Sequence, residues 1–508
     1  MMTARNVGLA MLVVVAISLI VVNSLNLPPE LAMGALVAAG AGVYLAVKFP
    51  EWFLAAAMFA PQWKTLSVLK TLNNIVDLTI VMLACLAMGV AWQIFTRPAR
   101  TRVPGFYRMF SDQSNSILAY FAFATVLTVS YFYTTAPSYG ASKLSRFLII
   151  GTIYLIAPFF ILLSEEDFRR FARIFVVFSE LTAVQLIINL RQKTVDINAV
   201  NSNADITRIG AAWLLAMAIL VVLFYPLWPS RFARAVSFWL LLPLLIVGLI
   251  ASAARGPIVA LLMAGLVGLL VSLARGRVQA STALVVLVFV FAGATVAYYF
   301  VRQADLEKYS AKASELEQLV VSGESTGSAG NRLKFYRATL EAIPDHMLFG
   351  AGIGSWAKFY YGSDLRNYPH NLFLEIAFEA GLVGLASLLI LFALVILATL
   401  RMLAASNFHF LVLGVLILFC VLASQFSGDL DDNRLIWAWI GVGLAVGRMV
   451  QLNQLAWRSL RDDQTRWASL STASATGAAG SPSRLRQSPS LRRNATPRRA
   501  DRWREKFV

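Results

Sequence analysis

The stretch Val236–Leu273, VSFWLLLPLLIVGLIASAARGPIVALLMAGLVGLLVSL, decides the fold of this 508-residue chain. Two apolar runs, 236–253 and 257–273, flank a short turn that contains Arg255. Runs of about 18–22 apolar residues are long enough to cross about 30 Å of hydrocarbon as helices. The stretch therefore predicts two membrane-spanning helices joined by a tight turn that holds a cation at the membrane boundary.

The rest of the chain has the same character, because 58% of its residues are hydrophobic, 14% are charged and the mean hydropathy is +0.68. Similar apolar runs occupy 7–25, 31–48, 52–69, 75–96, 115–133, 145–163, 171–190, 210–227, 283–301, 372–400, 409–426 and 434–450. The run 52–69 is the weakest, since Pro61 and Lys64 interrupt it. We therefore predict an all-α polytopic membrane protein with about 12–14 transmembrane helices and a large, mostly helical loop between two late spans.

Basic residues fix the expected orientation. Arginines cluster in every second connection and after the last span, so these connections and the C-terminus are expected to be cytoplasmic. The expected organisation is an N-terminal transmembrane bundle (1–301), an outer loop domain (302–370), C-terminal transmembrane helices (371–450) and a tail (451–508). If 52–69 does not cross the membrane, only the side of the N-terminus changes.

The tail 451–508 has a net charge of +8, out of +17 for the chain, and is rich in Ser, Ala, Pro and Arg. It lacks a long apolar stripe, so it is expected to be disordered and to contact anionic lipid headgroups. Nucleic-acid binding is not expected, because no folded module accompanies the charge. Cys85 and Cys420 both lie in apolar runs, where cysteine behaves as a small hydrophobic residue.

The outer side carries few basic residues. Arg208, Arg255 and His370 stand at the membrane boundary, and Arg332 lies in the long outer loop 302–370. Pro257 suits the first turn of a helix, so Arg255 is expected near a helix N-terminus, where the backbone dipole favours an anion. Guanidinium groups bind phosphate oxygens in pairs. Any one of these arginines is equally explained by snorkelling to lipid headgroups. As a set with a histidine, they favour an anion site at the outer interface.

His370, in Tyr368-Pro369-His370-Asn371, closes the long loop and is one of three histidines in the chain. Imidazole can take and return a proton near neutral pH, so His370 is a candidate acid or base. His346 is expected to be surface-exposed, and His409 lies on the opposite, cytoplasmic side.

Three polar residues after the loop, Asn371, Glu375 and Glu379, are spaced to share a helix face. Glu375 is expected to orient or tune the imidazole, and Glu379 either supports the site or makes a structural hydrogen bond. Glu180 is a second intramembrane acid, for which the sequence assigns no partner. No grouping of His, Asp or Glu has metal-ligand spacing, so a metal-independent site is expected.

The loop 302–370 is too long for a simple connector. Helical periodicity is present at 304–320 and 331–343, separated by a Gly- and Ser-rich break at 322–330. The second helix places five residues close to one face: Arg332, Phe335, Tyr336, Thr339 and Leu340. The run Gly350-Ala351-Gly352-Ile353-Gly354 has no preceding strand, so it predicts turns rather than a nucleotide-binding loop.

The chain from Arg255 through the long loop to YPHN (368–371) and EAGLVG (379–384) resembles the O-antigen ligase and polymerase superfamily of bacterial envelope glycosyltransferases. The stretch 344–352 is similar to the run that precedes the histidine in that family. The resemblance covers 255–400, and more weakly 208–210. The chain departs from the family in the alanines at 253–254, where the family often has serine, and in its long basic tail.

The resemblance implies a glycan donor on undecaprenyl diphosphate, transfer to an acceptor sugar hydroxyl of a glycan or glycolipid, no cofactor or metal, and inversion at the anomeric carbon. By the same resemblance, Arg255 and Arg332 would hold the diphosphate and Arg208 would assist them. His370 would act as general base on the acceptor hydroxyl, or else orient it. The expected location is the bacterial inner membrane, with the site on the periplasmic side.

The resemblance does not separate an O-antigen ligase from a surface-polysaccharide polymerase or a protein O-oligosaccharyltransferase. A secondary transporter of a small anion is the alternative from a different class. No internal repeat is evident in the sequence, and a transporter does not need a large outer loop that ends in a histidine.

Overall fold

The structure is a computed structural model that describes residues 40–42, 44–63, 78–96, 114–191, 203–228, 230–276, 328–405 and 410–449. Its regular elements in these ranges are all helical, which confirms the predicted fold class of an all-α polytopic membrane protein. The spans expected at 7–25 and 283–301, the loop helix at 304–320, His409 and the tail 451–508 lie outside the described residues.

The helices of the first half, in chain order, are α1 (Pro50–Trp63), α2 (Leu78–Thr96), α3 (Ser114–Tyr131), α4 (Pro137–Arg146), α5 (Thr152–Ile161), α6 (Glu165–Arg191), α7 (Asn203–Phe224), α8 (Arg231–Val236) and α9 (Leu242–Ala251). Those of the second half are α10 (Arg255–Ala274), α11 (Ser328–Ala342), α12 (Trp356–Tyr361), α13 (Leu372–Glu379), α14 (Gly381–Ala405), α15 (Leu411–Ala423) and α16 (435–449). One π-helical turn joins α4 to α5, and another joins α8 to α9.

Within the described residues, five continuous helices are long and apolar enough to cross a membrane: Pro137–Ile161, Glu165–Asn189, Phe232–Ala251, Arg255–Ala274 and Gly381–Leu403. Four shorter apolar helices accompany them: Leu78–Trp92, Asn115–Tyr131, Arg208–Phe224 and Leu411–Ala423. The weak run 52–69 begins as the 14-residue helix α1, which tolerates Pro61 in its last turn. The total of 12–14 spans remains a prediction.

Helix α16, the last helix of the described residues, is central to the core. Trp437 and Trp439 are each 1% exposed, and their ring centroids lie 5.3 Å from those of Phe147 and Phe175, respectively. A helix that is buried all round is typical of the middle of a bundle. The residues between α15 and α16, Ser424–Arg434, are thereby held against the surrounding helices.

The span expected at 145–163 begins earlier than predicted. The helix that contains it starts at Pro137, which suits a first helical turn. The residues Pro137–Arg146 are weakly apolar as a group, so hydropathy alone does not show that they belong to the span. This correction matters because Lys143 then lies inside the bundle.

The prediction of one continuous span at 372–400 is wrong. The helix breaks after Glu379, and the chain continues through Gly381, whose φ of 67° is unfavourable for other residues. The glycine-rich loop causes the break, because the amides of Ala351 and Gly352 donate to the carbonyl oxygens of Phe378 and Glu379 at 2.8 and 2.9 Å. Helix α13 therefore ends at Glu379, where this loop packs against it.

The loop helix predicted at 331–343 is confirmed as α11, although it begins at Ser328, inside the expected break. On its expected face, Thr339 is fully buried and accepts a hydrogen bond from Trp356 Nε1 at 2.8 Å. Leu340 is 56% exposed, so its assignment to that face is wrong. Gly350, Gly352 and Gly354 all have positive φ, which confirms the prediction of turn-forming glycines.

Candidate functional site

The turn between α9 and α10 presents Arg255 as the first residue of α10. The Ser252 hydroxyl stabilises this turn, since it donates to the carbonyl oxygen of Leu249 at 2.6 Å and accepts from the amide of Ala254 at 3.3 Å. Between them, Ala253 adopts φ 54°. The sequence expectation of a tight turn with Arg255 at a helix N-terminus is confirmed.

Helix α11 carries Arg332 and is fixed against the site by aromatic residues. The Phe335 ring packs edge-on against Trp356 with centroids 5.1 Å apart. The Tyr336 hydroxyl lies within hydrogen-bond distance of two carbonyl oxygens, 3.2 Å from that of His370 and 3.1 Å from that of Gln425. Tyr336 therefore ties α11 both to the histidine and to the connection between α15 and α16.

His370 is held in a constrained conformation. Its φ is 60°, and it shares a positive φ with Ala253 alone among the described non-glycine residues. Left-handed backbone costs roughly 1–2 kcal/mol for such residues and tends to be retained at functional sites. Its ring stacks on Phe335 at 6.2 Å and contacts Tyr368 edge-on at 4.7 Å. Two aromatic rings therefore hold the imidazole in this conformation.

The charge of Arg255 acts on Arg332, and the charge of Arg332 acts on His370. Burial, together with the positive charge of Arg332, lowers the pKa of His370 to about 3. Burial also lowers the pKa of Arg332, and the charge of Arg255 acts in the same direction. His370 Nδ1 is buried without a hydrogen-bond partner among the described residues. The structure thus brings Arg255, Arg332 and His370 together.

Asn371 caps α13 and does not lie on its face. Its side-chain oxygen accepts a hydrogen bond from the amide of Leu374 at 3.0 Å, which is the preferred role of asparagine at this position. The expectation that Asn371 shares a helix face with Glu375 and Glu379 is therefore corrected: Asn371 precedes the helix and fixes where it starts, directly after His370.

Glu375 and Glu379 do lie on one face of α13, but they contact Lys143 of α4. Lys143 Nζ forms an ion pair with Glu375 Oε1 and lies 2.6 Å from Glu379 Oε2, and all three side chains are 0% exposed. Glu375 also accepts from the amide of Leu430 at 3.3 Å. The hypothesis that Glu375 tunes the imidazole is not supported by these contacts, and the structural alternative for Glu379 fits them.

The role of Lys143 was not predicted from the sequence. One signal was present, because an acid inside a span needs a partner and Lys143 precedes an apolar run on the chain. The pairing itself spans more than two hundred residues, so no local pattern reports it. Glu180 is the unassigned acid of α6, and its carboxylate oxygens are buried without a partner among the described residues.

Arg208 lies near the start of α7, next to Ile209 and Gly210. These two residues line a cleft together with Tyr368, whose ring contacts His370. The segment expected to assist the site is therefore beside it, although the arginine charge that acts on His370 is that of Arg332. His346 is exposed, as expected.

A group of acids between α15 and α16 was also missed. The carboxylate oxygens of Asp429, Asp431 and Asp432 lie within 4.8 Å of one another, a spacing that suits a metal ion. Each has a protein partner: Tyr139 donates to Asp429, Arg146 lies 3.0 Å from Asp431, and Arg366 lies 2.5 Å from Asp432. These contacts describe a charge network within the protein, and the expectation of a metal-independent site remains a prediction.

Comparison with known proteins identifies the region that carries this geometry. Residues 240–389 match a family model described as O-antigen ligase. A search of curated proteins returned no match. The matched segment contains Arg255, Arg332 and His370, the three residues that the structure brings together. Residues 240–389, about a third of the chain, are therefore similar to the O-antigen ligase family.

Proposed function

We propose that the protein transfers a glycan from undecaprenyl diphosphate to an acceptor sugar hydroxyl, at the periplasmic face of the bacterial inner membrane. The observation that carries this proposal is the convergence of Arg255, Arg332 and His370 within the O-antigen ligase segment. The alternation of arginine-rich connections along the sequence supports the periplasmic location.

Arg255 and Arg332 are suited to hold the donor's diphosphate. Their positive charges act on each other in a partly buried environment, which is unfavourable until an anion binds between them. Guanidinium groups remain charged at any relevant pH and bind phosphate oxygens in pairs. Binding of the diphosphate offsets the repulsion and stabilises the negative charge that develops on the leaving group.

His370 is the proposed base, and the donor controls its strength. In the free protein the pKa of His370 is lowered to about 3, which makes it a weak base near neutral pH. A diphosphate bound at Arg332 opposes the positive charge that contributes to this lowering, so donor binding raises the pKa. The imidazole is therefore neutral before the reaction and becomes more basic when the donor is in place.

In the proposed reaction, the acceptor oxygen attacks the anomeric carbon from the face opposite the diphosphate. His370 Nε2 takes the hydroxyl proton as the new carbon–oxygen bond forms. The bond between the anomeric carbon and the diphosphate oxygen breaks, and its electron pair stays on the diphosphate beside the arginines. The configuration at the anomeric carbon inverts, and His370 then gives its proton to solvent or to the diphosphate.

Complementation tests the proposal. Arg255→Ala, Arg332→Ala and His370→Ala are expressed in strains that lack an O-antigen ligase or a surface-polysaccharide polymerase, and surface glycans are examined by gel. Two matched controls carry the same changes at exposed positions: Arg337→Ala on the same helix as Arg332, and His346→Ala in the same loop. Each site variant is expected to abolish the glycan, and each control to retain it.

Normal glycan from all three site variants, at membrane levels equal to the controls, would contradict the assignment. Restored attachment of an existing polymer would identify a ligase, and restored polymer length would identify a polymerase. Modified protein in place of modified glycolipid would identify an oligosaccharyltransferase.

A further inference from the structure

A cleft beside His370 has polar groups that the proposed transfer reaction does not use. It has a volume of about 70 Å³ and lies between α1, α7 and the connection that leads into α16. Tyr368 forms part of its wall and contacts the His370 ring at 4.7 Å. This is several times the roughly 10–15 Å³ that one water molecule needs, so the open cleft has room for a carboxylate and the ring atoms next to it. A molecule in this cleft would lie next to the proposed base.

Asn433 lines the cleft with an amide that lacks a partner. The residue is 1% exposed, and its Nδ2 atom is buried without a hydrogen-bond acceptor among the described residues. A buried donor without an acceptor is costly, and such groups are rare unless a ligand or water satisfies them. The amide is thus placed to donate to an oxygen of a bound molecule.

Arg434, the next residue, also lines the cleft. Its guanidinium makes no hydrogen bond or ion pair with the part of the chain that the structure describes, although its charge acts on the nearby Asp431 and Asp432. Those two carboxylates have closer cations of their own, Arg146 at 3.0 Å and Arg366 at 2.5 Å. The guanidinium therefore keeps its hydrogen-bonding capacity for an anion in the cleft.

The other walls suit a sugar ring. Trp213 and Tyr368 provide aromatic surface, and the carboxylate of Asp432 can accept hydrogen bonds from hydroxyl groups. The negative charge of Asp432 repels a bound phosphate more strongly than a bound carboxylate, because a phosphate group carries more negative charge. The cleft thus combines a cation, amide donors, a carboxylate acceptor and aromatic faces.

We propose that this cleft binds a sugar that bears a carboxylate, such as a uronic acid unit of the glycan, with Arg434 pairing with the carboxylate and Asn433 donating to a ring or hydroxyl oxygen. The proposal rests on the proposed function, since it identifies the class of sugar that is presented to His370. It predicts that the protein handles an acidic glycan.

The test measures binding of simple glycosides to the purified full-length protein in detergent by saturation-transfer NMR. The probes are methyl β-D-glucuronide and methyl β-D-glucoside, which differ in the carboxylate. Wild-type protein is expected to bind the glucuronide at least fivefold more tightly. Arg434→Gln is expected to remove this preference, Arg434→Lys to retain part of it, and Arg337→Gln, an exposed control, to leave it unchanged.

Equal binding of the two glycosides by wild-type protein would overturn the proposal, and this arm needs no variant to fold. Full glucuronide binding by a folded Arg434→Gln would do so as well. Inorganic pyrophosphate provides the second arm: if it binds in an Arg434-dependent manner and displaces the glucuronide, the cleft is a phosphate site and the proposal fails. Glucuronide binding that survives Arg255→Ala and His370→Ala, whatever those variants do to transfer, separates this proposal from the proposed function.

Discussion

Replacing Lys143 by methionine should strongly destabilise the protein. Lys143 is the shared cation of Glu375 and Glu379, and all three side chains are fully buried. Methionine fills a similar volume but leaves two carboxylates without a counter-charge. Removal of one partner from a buried ion pair costs about 3–5 kcal/mol. Because one ammonium here serves two acids, the upper part of this range is expected.

Unfolding by urea in detergent micelles, followed by tryptophan fluorescence, measures this loss as a change in the free energy of unfolding. The triple variant Lys143→Met, Glu375→Gln, Glu379→Gln removes all three charges and should recover most of the stability, because uncharged replacements of buried ion pairs are often neutral. Lys358→Met, at an exposed position of α12, is the matched control and should change stability by less than about 0.5 kcal/mol.

A Lys143→Met variant within about 1 kcal/mol of wild type would refute the assignment of these charges, and so would a triple variant no more stable than the single one. Loss of Lys143 should also affect activity if its ion pairs with Glu375 and Glu379 support the site around His370. Helix α13 begins directly after His370, so loss of its anchor should reduce glycan transfer in Lys143→Met and restore it in the triple variant.

Four further predictions concern the site and its supports. Ala253→Gly should raise the free energy of unfolding by up to about 1 kcal/mol, since φ 54° favours glycine, and thermal unfolding measures it. Gly352→Ala should lower the free energy of unfolding by more than about 2 kcal/mol, because φ is 95° and a Cβ atom would lie 2.3 Å from Thr134 Cα. A variant as stable as wild type in the same thermal unfolding measurement would contradict this packing. Arg332→Gln should raise the pKa of His370 from its lowered value, as read from histidine NMR shifts over a pH series, and an unchanged pKa would separate the two residues. Finally, the pKa of His370 is about 3 in the folded protein and 6.5 in the unfolded chain, so the unfolded chain binds more protons between these pH values. The contribution of neutral His370 to stability is therefore complete above pH 6.5 and decreases as the pH falls. His370→Gln should accordingly lose less stability than wild type between pH 7.5 and 5, as measured by urea unfolding at each pH.

Much of the fold could be predicted locally. The apolar runs around Arg255 and at 409–426 correspond to helices of nearly the expected extent, because a chain in hydrocarbon must satisfy its backbone hydrogen bonds internally. The break after Glu379 could not be predicted in this way. It depends on amides of the glycine-rich loop, which lie about thirty residues earlier in the chain and reach the carbonyl oxygens of α13 only after folding.

The candidate site, too, could be predicted only in part from the sequence. Arg255 and His370 were identified from their positions at membrane boundaries, and Asn371 and Glu375 from their spacing after the histidine. The role of Glu375 was assigned wrongly, because its partner Lys143 is distant in sequence. The cleft beside His370 was missed for the same reason, since its walls come from α1, α7 and the residues before α16.

The sequence by itself determined the membrane class, the helices and the residues that stand at their ends, because hydropathy and turn chemistry act over neighbouring residues. Only the tertiary structure decided which of those residues meet. It joined Arg255, Arg332 and His370, neutralised Glu375 and Glu379 with Lys143, and opened a cleft beside the histidine at Asn433 and Arg434. The physical reason is that burial and charge pairing depend on side chains far apart in the chain, whose contacts exist only when the helices have packed.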